Sequence, residues 1–172
     1  MQNTVINVAG FNKNSITDGP GLRFVIFAQG CVHNCPGCHN PETHAFGTGE
    51  NYTVQQLADM IKKNPIIKGV TLSGGDPFCQ AAPFAMLAEY LKSHGYEVCA
   101  YTGYLFEQLI ADKTDDKYKL LENVDILIDG PFVQSEKSMD LKFKGSANQR
   151  TIDVAKSLAA GSAVISDSPR WV

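Results

Sequence analysis

RFVIFAQGCVHNCPGC, residues 23–38, sets a buried strand directly before a loop crowded with cysteine. Arg23–Ala28 is a short, nearly continuous apolar run, the pattern of a strand covered on both faces. Strands of that kind belong to parallel sheets, which need a crossover, usually a helix, between successive strands. Working outward, the chain supplies such crossovers. Thr53–Lys63 places Val54, Leu57, Ala58 and Ile61 on one helical stripe, and Thr53 with Gln56 forms a capping-box start.

Gly69–Leu72 reads as the next strand, and Gln80–His94 as a helix with Pro83 in its first turn and Gly95 as its stop. Glu97–Tyr101 is a third strand, followed by helical pieces at Tyr104–Ala111 and Asp116–Glu122. Val124–Ile128 is a fourth strand, and Ala163–Ile165 a candidate last one. The alternation predicts an α/β fold with a mostly parallel sheet, formed as a single domain over residues 1–172. No repeat, low-complexity tract or linker divides it.

In parallel α/β sheets the active site gathers in the loops that leave the C-terminal ends of the strands. Here those loops are Gln29–Asn40, Ser73–Phe78, Thr102–Gly103 and Asp129–Phe132. They hold three of the cysteines, a Gly-Gly-Asp-Pro, a Thr-Gly and an Asp-Gly-Pro, so most of the chemically unusual residues fall on one edge.

Composition narrows the classes of function. Fifteen Lys and Arg against eighteen Asp and Glu give a net charge of −3, which argues against nucleic acid, whose phosphates need a positive patch. No apolar run approaches the roughly 20 residues of a membrane span. Met1–Gly10 lacks the charged and apolar regions of a signal peptide, so a cytoplasmic location is expected. Five cysteines in such a chain read as metal ligands or redox groups before disulfides.

Cys31, Cys35 and Cys38 offer soft anionic ligands at spacings that let one loop wrap a metal centre from three sides. Pro36 and Gly37 favour a tight turn between the last two. Three thiolates are one short of the usual four for a cubane cluster, which would leave one iron open, as catalytic metals require. A structural zinc of Cys₃His type, with His33 or His39 as fourth ligand, is the alternative on spacing alone.

Two loops together, Cys31-x₃-Cys35-x₂-Cys38 after one strand and Gly74-Gly75-Asp76-Pro77 after the next, resemble the radical S-adenosylmethionine superfamily. Cys-Pro-Gly-Cys at 35–38 is similar to the activating proteins of anaerobic, class III ribonucleotide reductase. So are Asp18-Gly19-Pro20-Gly21, Tyr101-Thr102-Gly103-Tyr104, Asp129-Gly130-Pro131-Phe132-Val133 and Gly145-Ser146-Ala147-Asn148-Gln149-Arg150. One departure from the superfamily is Gly37, where the residue before the last cysteine is usually aromatic.

The resemblance implies an incomplete β/α barrel, open on one side, where a protein substrate can insert a loop. It implies one [4Fe–4S] cluster per chain on Cys31, Cys35 and Cys38, with S-adenosylmethionine chelating the open iron. It further implies cosubstrate contacts from Gly37, Cys38, His39, Gly74, Gly75 and Asp76, and Asp129 is a candidate for a cosubstrate hydroxyl or ammonium. The implied reaction forms a 5′-deoxyadenosyl radical, which leaves a glycyl radical on the catalytic subunit of anaerobic ribonucleotide reductase. A flavodoxin- or ferredoxin-type donor would supply the electron, since the cluster must work at the low end of its potential range. Activation of another glycyl-radical enzyme, of formate-lyase type, is the alternative within the superfamily, and a zinc-stabilised binding module the alternative outside it. Cys79 and Cys99 read as structural. Trp171 reads as either a frayed end or a partner contact.

Overall fold

The computed structural model describes residues 1–172. Seven strands form one sheet: β1 (Val5–Ser15), β2 (Arg23–Ala28), β3 (Glu50–Thr53), β4 (Gly69–Gly74), β5 (Glu97–Tyr101), β6 (Ile126–Asp129) and β7 (Arg150–Asp153). Their order is β3-β1-β2-β4-β5-β6-β7. The four central strands, β2, β4, β5 and β6, are parallel, while β1, β3 and β7 add antiparallel edges. The order does not close on itself, so this is an open α/β sheet, consistent with an incomplete rather than a closed barrel.

Alternation along the strands decides what each face carries. Phe24, Ile26 and Ala28 of β2, Val70 and Leu72 of β4, Val98 and Ala100 of β5 and Leu127 of β6 join one core with the helices. Those helices are α1 (Val54–Lys62), α2 (Ala81–Ser93), α3 (Phe106–Leu109), α4 (Asp116–Glu122) and α5 (Val154–Ala160). Phe84, Leu87 and Leu91 of α2 are fully buried against the sheet. Burial on this scale is worth about 1.5–3 kcal/mol per side chain, so α2 is the principal cover of this face. The opposite face carries a smaller cluster of Cys99, Ile126, Ile128 and Trp171.

Local signals behave as their chemistry dictates. Thr53 and Gln56 form the expected capping box, with bonds of 3.1 and 2.8 Å between each side chain and the other's backbone N–H. Gly95 adopts φ +81° just past α2, the left-handed turn that ends a helix.

Several expectations need correction. The span expected to be a strand at Val124–Ile128 begins only at Ile126, because Asp125 instead accepts the Val98 N–H through its side chain at 2.8 Å. The helix expected over Tyr104–Ala111 shrinks to Phe106–Leu109. Ala163–Ile165 contributes only one bridge, between Ile165 and Ile152. The three antiparallel strands, β1, β3 and β7, lie in stretches that carry no clear strand pattern. Trp171 is neither frayed nor exposed: it is 1% accessible.

Candidate functional site

The loop after β2 is held by its own backbone. Gln29 Nε2 donates to the carbonyls of Glu42 and Ala45 at 3.1 and 2.6 Å. Gly30 N–H reaches the Thr43 carbonyl at 2.7 Å, and Cys31 N–H the His44 carbonyl at 3.1 Å. The excursion to residue 45 is therefore folded back on its base, and the cysteine segment projects from a fixed stem. Cys35–Cys38 closes as a turn through Cys38 N–H to the Cys35 carbonyl at 3.2 Å, with Gly37 at φ +73°. Pro followed by a residue of positive φ is the pattern of a type II turn.

Cys31, Cys35 and Cys38 all line one cavity of about 730 Å³. Its wall includes His39, Ser73, Gly74, Gly75, Gly103 and Gly130, so the ends of all four parallel strands contribute to it. Burial pushes the Cys31 thiol up to about 11, opposed by the backbone N–H of His33 and reinforced by the charges of Asp76 and Cys79. Metal ligation requires that this proton be lost. The donor set, three thiols of one loop lining one cavity, is chemically that of a cluster with one iron left free, although no three His, Cys, Asp or Glu side chains are gathered closely enough here to hold a metal ion. His33, the candidate fourth ligand for zinc, has its Nε2 committed to Asp76 at 2.7 Å. His39 packs its ring 5.0 Å from that of Phe132.

The structure distributes the remaining expected contacts unevenly. Cys38, His39, Gly74 and Gly75 line the cavity, whereas Gly37, Asp76 and Asp129 do not. Gly37 is favoured by its φ of +73°, and a Cβ there would also meet the movable end of the Gln134 side chain. The paired glycines answer to packing. Gly74 has φ +97°, and a Cβ there would strike the backbone of Phe27 and Ala28; one on Gly75 would strike the carbonyls of Gly30 and Thr43.

Asp76 is 1% accessible and sits behind the cavity wall. Its Oδ1 accepts the Phe78 N–H at 2.9 Å. Its Oδ2 accepts from His33 Nε2 at 2.7 Å, the Thr102 hydroxyl at 2.8 Å and the Gly103 N–H at 3.0 Å. Asp129 is likewise fully buried, bound by the Phe106 N–H at 2.8 Å and by Arg150 Nε at 2.9 Å. Both carboxylates are held as internal joints between loops. His33, Thr102 and Arg150 are the partners the sequence reading did not assign. Their signal was position, on the strand-end loops and at the end of the Gly145–Arg150 segment.

Cys79 lies behind the cysteine loop, with the Val32 N–H directed at its sulfur and Tyr104 beside it; burial raises its thiol. Cys99 is fully buried in β5.

Comparison with known proteins defines the class. A family profile described as a 4Fe-4S single cluster domain matches residues 17–152, from before β2 through most of β7, so the chain carries an iron–sulfur domain of that single-cluster kind. Proteins called anaerobic ribonucleoside-triphosphate reductase-activating protein match over most of their length. That of Vibrio cholerae serotype O1 is 37% identical over 78% of this chain and 89% of its own. That of Escherichia coli K12 is 34% identical over 78% and 90%, and that of phage T4 is 35% identical over 77% and 85%. The chain belongs to the family of anaerobic ribonucleoside-triphosphate reductase-activating proteins, radical S-adenosylmethionine enzymes with a [4Fe–4S] cluster. Among solved structures, QueE from E. coli aligns with a TM-score of 0.45 at 17% identity, over 58% of this chain and 52% of that one. No helix is long and apolar enough to cross a membrane.

Proposed function

We propose that Cys31, Cys35 and Cys38 each bind one iron of the cluster, leave the fourth iron to S-adenosylmethionine, and so serve to install a glycyl radical on anaerobic ribonucleotide reductase. The observation that carries this reading is that all three thiols line a single cavity to which the ends of the four parallel strands also contribute. When bound, the cluster supplies the one-electron reduction that cleaves the cosubstrate's carbon–sulfur bond.

The chain's own residues do the rest. Ser73, Gly74 and Gly75 present backbone to the cavity beside the thiols, which suits the polar amino and carboxylate groups of a methionine moiety. His39, next to Cys38 in the chain, and Phe132 form an aromatic pair lining the cavity, suited to a nucleoside. The cavity is also lined by Thr17, Asp18, Tyr101, Met139 and Phe143, and it is where a peptide segment of the reductase would enter. A flavodoxin- or ferredoxin-type protein is the donor this chemistry needs.

The test is electron paramagnetic resonance on anaerobically reconstituted, reduced protein, with and without S-adenosylmethionine, beside iron and zinc analysis. A reduced [4Fe–4S] signal that shifts on adding the cosubstrate is the expected result. One tightly bound zinc per chain and no cluster signal would overturn the reading.

A further inference from the structure

Asp76 joins three loops through one oxygen. Its Oδ2 takes hydrogen bonds from His33 of the cysteine loop and from Thr102 and Gly103 at the end of β5, while its own backbone N–H binds the Gly30 carbonyl at 2.9 Å. The carboxylate is buried, and His33 is only 16% accessible. The His33 ring also fits tightly: it meets Tyr104 edge-on at 4.6 Å, and a Cβ on Gly103 would strike it.

Of these contacts, only His33 comes from the stretch between the first two cysteines. Its neighbour Asn34 has φ +46°, a left-handed conformation that asparagine adopts more readily than other non-glycine residues. The stem fixes the base of the loop by pairing Gly30 and Cys31 with Thr43 and His44, and the Val32 N–H is directed at Cys79; beyond these, His33 is the side chain between Cys31 and Cys35 that ties the loop to Asp76.

We propose that His33 is a positioning residue: through its hydrogen bond to Asp76 it latches the cysteine loop to the ends of β4 and β5, keeping the loop at the cavity wall before iron arrives. This rests on the cluster reading above. The latch acts in the empty protein, so it is measurable without a working enzyme. Outer partners that orient metal ligands typically contribute about 10–100-fold in metal affinity. The latch requires only a donor at the Nε2 position, so an amide of similar reach can replace the ring.

The experiment compares wild type, His33→Ala and His33→Gln as metal-free protein, pulsed with iodoacetamide and read by mass spectrometry at each cysteine. Buried Cys99 is the internal reference. In His33→Ala, Cys35 and Cys38 should be alkylated about five- to tenfold faster, as loss of one buried charge-assisted hydrogen bond implies, with Cys99 unchanged. Iron affinity should fall about 10–100-fold, and His33→Gln should restore both towards wild type. Equal alkylation and equal iron affinity in wild type and His33→Ala would overturn the latch. If His33→Ala also exposes Cys99, His33→Gln decides: retained protection supports the latch, and loss matching alanine overturns it. Wild type that takes up no cluster sinks the functional reading instead, a result separate from the alkylation comparison.

Discussion

The Arg23 guanidinium lies 5.2 Å from the centroid of the Trp171 ring, on the face of the sheet away from the helices. Arg23 opens β2 and is 1% accessible, a charge buried at the base of the sheet. Its Nε donates to Thr71 at 2.8 Å, and its two terminal nitrogens reach Glu97 Oε1 at 2.7 Å and the carbonyls of Val70 and Glu97 at 3.0 and 3.1 Å. Trp171 covers this network and meets Phe143 edge-on at 5.5 Å. The Phe143 carbonyl accepts the Tyr101 hydroxyl at 2.7 Å, and Lys142 Nζ reaches the Pro169 carbonyl at 3.0 Å. The last residues of the chain thus support the segment that forms one wall of the cavity.

Trp171→Ala should therefore cost about 3–5 kcal/mol, the range for removing a buried large aromatic, read as a lower urea midpoint of the metal-free protein. Trp171→Phe should fall within about 1 kcal/mol of wild type. The indole Nε1 is buried without a hydrogen-bond partner, so its loss removes a desolvated donor and leaves no partner stranded. Equal destabilisation by both variants would mean that the indole's size and its face over Arg23 matter beyond what a phenyl ring supplies.

How much of this was legible in sequence follows from which interactions are local. The parallel strands announced themselves because both faces are covered, giving runs such as RFVIFA and VDILI. The edge strands did not. In β1 the buried residues Ile6 and Val8 are followed by a register shift between Val8 and Gly10, which breaks the alternation that would have marked it. β3 is only Glu50–Thr53, with no fully buried residue, so nothing in its composition separates it from a loop. At the site, residue types and spacing located the thiols and the glycines. They could not reveal that Asp76 and Asp129 turn inward, because a carboxylate at a strand end reads the same whether it meets a ligand or a neighbouring loop. Burial and partners decide that, and both are tertiary. Trp171 is the same case, invisible until the tail folds under the sheet.

Gly103→Ala should disturb the site without touching a thiol. The added methyl would fall against the His33 ring, with its Nε2 within 2.8 Å. Overpacking of this kind costs about 1–3 kcal/mol, and the least costly relief is to push His33 off Asp76. The expected outcome is a lower iron content after reconstitution together with a modest fall in thermal midpoint. A fall in midpoint with full iron content would show that the strain is relieved elsewhere.

The cysteines should separate into two groups. Single Cys31→Ser, Cys35→Ser and Cys38→Ser substitutions should each abolish stable [4Fe–4S] incorporation, read as iron and sulfide per chain and loss of visible absorption. Cys99→Ala should retain the cluster, because Cys99 is buried within β5, with its thiol pushed up to about 12 by burial. Its cost should appear only as stability, from the small cavity left in the core. Cluster loss on Cys99→Ala at unchanged stability would contradict this separation.

Acid should weaken the fold in part through the joint at Arg150. The guanidinium grips Asp129 on one side and Glu107 on the other, the latter by two bonds of 3.1 and 2.8 Å. Its hydrogen bond holds the Glu107 carboxyl below the ordinary value of 4.5. As pH falls past 4.5, the unfolded chain therefore takes up this proton before the native one does. The pair's contribution is complete above that value and is lost as pH drops towards the lowered native value. Glu107 is half exposed, its side chain 52% accessible, so solvent screening limits the effect to about 1 kcal/mol or less. Glu107→Gln should be less stable than wild type at pH 6, and the gap should narrow by pH 4 and below, read as the difference in urea midpoints. Taking that difference cancels the other carboxylates that titrate in the same range. A gap that stays constant with pH would place the contribution in packing of the side chain, with no role for its charge.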